Sequence, residues 1–327
     1  MAYIRVYLAL CCLTVPTLAA GLLNFFAIGD MGGAPSFPYT TPIQVATARE
    51  MGILANQLEP EFILALGDNF YTLGVKNVDD PRFKETFENI YKDPALQVPW
   101  YLLAGNHDHY GNVSAEIAYT KRSKRWNFPE LYYTQSFNIP GTSNTVDIIM
   151  IDTVTLCGNT NYEKPHLQPQ GPEDIRQAED QWQWIEDNLD KSKATYLLVA
   201  GHFPVYSVAE HGPTDCLVDR LLPMLYKYKV TAYLCGHDHN LQHLQTTSPA
   251  NTTMNFILTG AADKIDTSTA HKTSVPADSL KFHWANPLGL GGLAHLKATS
   301  QNLTYSFVDA TVGTEIYTGV IQPRQVN

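Results

Sequence analysis

Five times along this chain an apolar run ends at a glycine, and the residues that follow can ligate a metal. The five read Ile28-Gly29-Asp30, Leu66-Gly67-Asp68, Ala104-Gly105-Asn106-His107-Asp108, Ala200-Gly201-His202 and Cys235-Gly236-His237-Asp238-His239. A single Gly-Asp or Gly-His pair carries no weight. Five of them, each closing a predicted strand, constrain the fold strongly. Glycine lets the backbone turn sharply and approach a bound group closely. Strand ends lie at the rim of a sheet, where α/β proteins keep their sites. Several such ends would converge their Asp, Asn and His side chains on one spot.

The apolar runs predict strands at residues 22–28, 62–66, 100–104, 146–151, 196–200, 230–234 and 256–259, with further β-type stretches at 292–296 and 303–308. They are continuous rather than alternating, as suits strands buried on both faces. Helical patterns alternate with them. Thr41-Pro42 reads as an N-cap followed by proline at the first helical position, and that helix ends before Pro60. A second helix opens at Asp80-Pro81 and spaces Phe83, Phe87 and Ile90; a third carries Ile175, Ala178, Trp182, Ile185 and Leu189 as one apolar stripe. No linker, repeat or charge block divides the chain. The expectation is an α/β fold in one domain over residues 21–327, two packed mixed sheets with helices outside, an α/β/β/α sandwich.

The first twenty residues read differently: Arg5, a short apolar core, then Leu18-Ala19-Ala20-Gly21. That is the pattern of a secretory signal, with a buried helix as the alternative. No later run has the ~20 apolar residues of a membrane span. Loss of residues 1–20 would leave Cys157, Cys216 and Cys235. Cys235 lies in an apolar run and is expected buried and unpaired, whereas Cys157 and Cys216 lie in polar stretches and make the better disulfide. Sequons at Asn112, Asn251 and Asn302 are candidate glycosylation sites. With 22 basic against 32 acidic residues the net charge is −10, so nucleic acid and anionic membrane are poor partners. An anionic substrate would need a local reversal of that field.

Taken in order, the five blocks resemble the metallophosphoesterase signature GD, GDxxY, GNH(D/E), GHxP and GHxH. Tyr71, in Gly67-Asp68-Asn69-Phe70-Tyr71, narrows the resemblance to the purple acid phosphatases. The length, Val199-Ala200-Gly201-His202-Phe203-Pro204 and Ala209-Glu210-His211-Gly212-Pro213-Thr214 are similar to the small animal tartrate-resistant, type 5, enzymes. The large plant enzymes carry an extra N-terminal domain. The resemblance implies two metal ions sharing one carboxylate: Fe(III) on Asp30, Asp68, Tyr71 and His239, and a divalent ion, Fe(II) or else Zn or Mn, on Asp68, Asn106, His202 and His237. Ligand chemistry agrees, since carboxylates and a phenolate are hard donors suited to Fe(III), while imidazoles and an amide oxygen suit a divalent ion. Such a pair, less the charges of Asp30, Asp68 and a deprotonated Tyr71, leaves about two positive charges locally.

The activity implied is hydrolysis of phosphate monoesters at acid pH by a metal-activated hydroxide attacking in line. Implied substrates are phosphoproteins, nucleotides and small aryl phosphates, with inorganic phosphate as product and a secreted or lysosomal location. His107, next to Asn106, and His211 are the candidates for orienting the ester and protonating the leaving group. His211 could equally be a solvated loop histidine. Asp108 would either orient His107 or brace a turn, and Asn240 reads as a turn residue. Met31 stands where the family usually has Trp. The 158–172 loop aligns with one that proteases cut in mammalian relatives to relieve repression, which makes a processing protease a candidate partner; here it holds fewer acids than expected. A phosphodiesterase or pyrophosphatase on the same scaffold, and an iron-dependent generator of reactive oxygen species, are the competing readings.

Overall fold

The computed structural model describes residues 21–164 and 166–325; the predicted signal segment lies outside the described residues. The chain lays down four strands in a first sheet, β1 (Leu23–Ile28), β2 (Phe62–Leu66), β3 (Trp100–Leu103) and β4 (Trp126–Asn127). It then crosses to a second sheet for β5 (Tyr133–Asn138), β6 (Thr145–Met150), β7 (Tyr196–Ala200), β8 (Ala232–Cys235), β9 (Leu241–Thr247), β10 (Thr253–Thr259) and β11 (Leu280–Trp284). It returns to the first for β12 (Gly292–Ala298), β13 (Leu303–Asp309) and β14 (Thr314–Ile321). The orders are β14-β13-β12-β1-β2-β3-β4 and β11-β9-β10-β8-β7-β6-β5, each mixed. The predicted strands are all present, shifted by up to three residues at their ends.

Why these runs form strands shows in how they split between two cores. In β7, Tyr196, Leu198 and Ala200 join the apolar cluster that runs between the sheets, while Leu197 and Val199 join the cluster on the outer face. β6 and β8 divide the same way, with Val146, Ile148, Met150, Ala232 and Leu234 facing one cluster and Ile149, Tyr233 and Cys235 the other. Period-two alternation with both faces buried is the geometry a continuous apolar run satisfies.

The flanking helices are α1 (Pro42–Leu58), α2 (Asn106–Tyr110), α3 (Val113–Tyr119), α4 (Thr153–Cys157), α5 (Ile175–Lys191) and α6 (Leu222–Lys227). Thr41 caps α1 as expected, its hydroxyl accepting from Gln44 N at 3.1 Å. On α5 Ala178, Trp182, Ile185 and Leu189 are buried against the second sheet, but Ile175 is 69% exposed in the first turn. The helix expected after Asp80-Pro81 is instead a short widened turn, residues 83–88, with Asn89 N bonded to Lys84 O at 2.8 Å. Phe83 and Phe87 still reach the core. Cys157 and Cys216 form the expected disulfide, with a Cα–Cα distance of 5.7 Å, and Cys235 is buried and free. No helix of the described residues is long and apolar enough to cross a membrane.

Candidate metal centre

β1, β2 and β3 are adjacent and parallel, as are β7 and β8. Their carboxyl ends face each other across the two sheets, and the five ligand-bearing turns meet there. His202 Nδ1 reaches Leu66 O at 2.8 Å and His237 N donates to Asp30 Oδ2 at 2.8 Å, so each bond ties one sheet to the other.

Three residues that follow a strand-end glycine hold left-handed backbone: Asp30 at φ 60°, Asp68 at 52° and His237 at 73°. Such conformations cost ~1–3 kcal/mol each and persist where the surroundings dictate them. Here Asp30 N donates to Gly67 O at 2.9 Å, and Asp68 Oδ1 accepts His107 N at 3.0 Å. The glycines act differently from the expectation of five sharp turns, for only Gly67 among them has positive φ, 88°. At Gly105 and Gly236 the requirement is space. A Cβ at 105 would lie 2.2 Å from Asp68 Oδ1, and one at 236 would lie 2.4 Å from Asp30 Oδ2.

The seven expected ligands gather in two groups. In the first, Tyr71 Oη lies 3.0 Å from Asp30 Oδ1 and 3.0 Å from His239 Nε2. In the second, His202 Nε2 lies 3.0 Å from Asn106 Oδ1, 3.4 Å from Asp68 Oδ1 and 3.2 Å from His237 Nδ1. Asp68, His202 and His237 offer ligand atoms all within 4.8 Å of one another. Asp68 makes its close contacts with the second group and with His107 rather than with the first.

The electrostatics make this a place for cations. Burial, then Asp30 and Asp68, push the Tyr71 phenol well above its ordinary pKa. Tyr71 becomes a phenolate only with positive charge beside it. Burial, then His211 and His202, drive the His237 imidazole well below its ordinary value and leave it a neutral donor. Burial alone would raise Asp68, but His202 and His107 overrule it and hold the carboxylate ionised; in return Asp68 lifts His202 to about 9 against the pull of burial. An imidazole, an amide oxygen and a carboxylate packed this tightly on one nitrogen fit a shared ion.

Both candidate proton donors stand at the centre. His107 Nδ1 bonds Thr72 O at 2.6 Å, and its Nε2 faces Asp68 Oδ2 at 3.9 Å. The His211 ring stacks on His237, centroids 4.1 Å apart, and its N donates to Asp238 Oδ1 at 3.0 Å. Asp108 braces a turn rather than orienting His107: its carboxylate accepts from Gly105 N at 2.8 Å, Asn69 N at 3.1 Å and Phe70 N at 3.1 Å. Asn240 is likewise a buried turn residue, its N bonded to Asp238 O at 2.8 Å. His109 pairs with Asp152, His243 with Tyr305 and Tyr317, His271 with Ala209 O and His295 with Asn24, so each has a hydrogen-bond partner other than a candidate ligand.

Sequence reasoning missed three supports. Thr160 Oγ1 accepts from Asn106 Nδ2 at 3.3 Å and Asn159 Nδ2 donates to Asn106 O at 3.2 Å, so Asn159 and Thr160 hold a candidate ligand in place. Asp238, inside the last motif, pins the His211 loop. Lys264 lies over Tyr71. Asp238 was within reach of the motif; the other two carried no local signal.

Residues 23–241 match the family model of the calcineurin-like phosphoesterases. The tartrate-resistant acid phosphatase type 5 of Oryctolagus cuniculus is 50% identical over 294 residues, 90% of this chain and 89% of that one. The chain belongs to the type 5, tartrate-resistant branch of the purple acid phosphatases. Among solved structures, a purple acid phosphatase, PPD1, from yellow lupin (Lupinus luteus) seeds superposes with TM-score 0.65 at 15% identity, over 93% of this chain and 54% of that one. GAP50, the anchor in the inner membrane complex of Plasmodium, superposes with TM-score 0.77 at 22% identity over 93% and 90%. At these identities both show the sandwich fold alone.

Proposed function

We propose that this chain is a metal-dependent acid phosphatase that hydrolyses phosphate monoesters at a dinuclear centre. The observation that carries this is Tyr71, a buried phenol 3.0 Å from both a carboxylate and an imidazole, beside a second cluster built on Asp68. Asp30, Asp68, Tyr71 and His239 would hold Fe(III); Asp68, Asn106, His202 and His237 would hold a divalent ion, Fe(II) or else Zn or Mn. The ions, when bound, supply Lewis acidity and the positive charge that an acidic protein needs to attract phosphate.

The chain's own residues do the rest. The Thr72 carbonyl commits the Nδ1 proton of His107, which leaves Nε2 to take up and give back a proton. As water oxygen attacks phosphorus and the ester P–O bond breaks, His107 would pass that proton to the departing oxygen. His211, stacked on His237 and pinned by Asp238, would orient the phosphoryl group. Substrates would be phosphoproteins, nucleotides or aryl phosphates. The 21–327 segment would act as one domain in a secreted or lysosomal setting, with Asn112, Asn251 and Asn302 open to glycosylation and the 158–172 loop open to a protease. Asn112 and Asn251 are exposed and Asn302 half-buried. Rates on p-nitrophenyl phosphate and bis-p-nitrophenyl phosphate, before and after chelation, test the reading. Chelator-sensitive hydrolysis that favours the monoester is expected; preference for the diester would favour the phosphodiesterase alternative.

A further inference from the structure

We propose that the His109–Asp152 pair is a positioning clamp that joins α2 to α4 and so holds Asn106, and with it the divalent-ion half of the centre, in place. The inference rests on the reading of Asn106 and His202 as ligands of one ion and adds to it two residues that act on the site through other groups.

Asn106 opens α2, a helix of only five residues. So short a helix does not hold itself in water. Its ties to the rest of the chain therefore decide where Asn106 points. One tie is at Thr160, whose Oγ1 accepts from Asn106 Nδ2 at 3.3 Å and whose carbonyl accepts the Tyr110 hydroxyl at 2.8 Å. The other lies one turn on from Asn106, where His109 Nε2 is 2.7 Å from Asp152 Oδ2. Burial alone would lower His109, but Asp152 overrules it and raises the imidazole above its ordinary value, as an ion pair does.

Asp152 is a firm anchor. It is buried, and its Oδ1 caps α4 by accepting Thr155 N at 2.7 Å. Its N donates to Gln181 Oε1 at 2.9 Å and its carbonyl accepts from Gln181 Nε2 at 3.1 Å, which fastens it to α5. From there α4 carries the chain past the Cys157–Cys216 disulfide to Asn159 and Thr160. The contacts close a circuit: from Asn106 along α2 to His109, across to Asp152, along α4 to Thr160, and back to Asn106. Breaking the bond at His109 or the one at Thr160 opens the same circuit. The segment serves the divalent ion a second time, since Thr153 Oγ1 accepts Phe203 N at 3.1 Å beside His202. The Tyr71 group leans on other parts of the chain: Tyr71 N donates to Gly32 O at 3.0 Å, and Asp266 N donates to His239 O at 2.8 Å. The clamp therefore acts on one half of the centre.

The test compares the full native chain, iron-loaded and with Zn(II) as the divalent ion, with His109→Gln, Thr160→Val and the two combined. Removing a group that orients a metal ligand costs about 10–100-fold in affinity, so H109Q should yield its zinc to a competing chelator about 10–100-fold more readily. The tyrosinate-to-iron band of the Tyr71 group should stay unchanged. Because both substitutions open one circuit, the combined variant should lose about as much as the worse single one, whereas independent supports would multiply. Hydrogen exchange on the full chain as purified gives a readout apart from bound metal and turnover: amides of residues 106–110 and 158–160 should exchange faster together in H109Q. Asp152→Asn should reproduce these effects and serves in its place if H109Q does not fold. Native zinc retention in a folded H109Q, losses that multiply in the combined variant, or zinc and the band lost together overturns the assignment. A native protein that takes up neither ion, with exchange in H109Q still raised, overturns the reading of the ligands instead, a result distinct from failure of the clamp.

Discussion

Gly236→Ala tests the geometry of the centre without touching a ligand. An ideal Cβ at residue 236 would stand 2.4 Å from Asp30 Oδ2, against the 3.0 Å floor that real Cβ contacts observe, so the carboxylate must retreat by at least 0.6 Å. It cannot do so freely. The same Oδ2 accepts His237 N at 2.8 Å, and Oδ1 accepts the Tyr71 hydroxyl at 3.0 Å. Forcing a methyl into packed surroundings costs ~1–3 kcal/mol, and a weakened bond to a charged acceptor costs up to about the same again. A stability loss of roughly 2–4 kcal/mol is expected from these two terms. The functional loss should be larger in proportion, because displacing a catalytic-site group by about 1 Å can cost on the order of 100-fold in rate. The assay is iron content and kcat/KM on p-nitrophenyl phosphate, with urea denaturation alongside. A G236A protein that keeps native iron content, colour and kcat/KM would refute the reasoning, since Asp30 would then be no part of the centre.

Other outcomes follow from the same structure. Burial drives His243 and His295 down to about 4 from an ordinary value of about 6.5, and both are less than 5% exposed. The unfolded chain takes up these protons first as pH falls, so stability is full above about pH 6.5 and declines toward pH 4, by up to about 3 kcal/mol per histidine. Urea midpoints of the metal-loaded protein across that range should show the slope, and His243→Gln should flatten it. Removing the disulfide with the Cys157→Ala, Cys216→Ala pair opens a loop of 59-residue separation and should cost about 4 kcal/mol on the chain-entropy model, read as a lower thermal midpoint. Thr160→Val removes the acceptor that steadies Asn106 and should weaken retention of the divalent ion by about 10–100-fold, measured by competition with a chelator.

The chain announced its fold through β-runs that end in glycine, because strands buried on both faces leave an uninterrupted apolar signature. The half-covered strands were harder to see. β5 and β14, with mixed exposure along their length, and the two-residue β4 lack such a run. The candidate ligands were legible because Asp30, Asp68, His202 and His237 each sit two residues past a strand, where parallel neighbours place such residues side by side, with Tyr71, Asn106 and His239 in the same turns. Asp108 was ambiguous on paper because a carboxylate in a motif can serve a histidine or a backbone; only its three N–H partners resolve it toward the backbone. Thr160 and Lys264 reach the centre from loops distant in sequence. Their contacts depend on how the loops around Thr160 and Lys264 pass the sheet ends, and no local pattern encodes that. Ile175 shows the opposite error, a residue in register with the apolar stripe that the first turn of α5 nevertheless leaves exposed.

The central claim is that Tyr71 and its neighbours bind iron at a site that also binds phosphate. The most direct measurement is the visible absorption spectrum of the purified protein as inorganic phosphate is added, repeated on Tyr71→Phe. The account predicts a purple band that shifts with phosphate and is absent from Y71F while most of the fold remains. A native protein with bound metal but no such band, or a band that survives in Y71F, would contradict it.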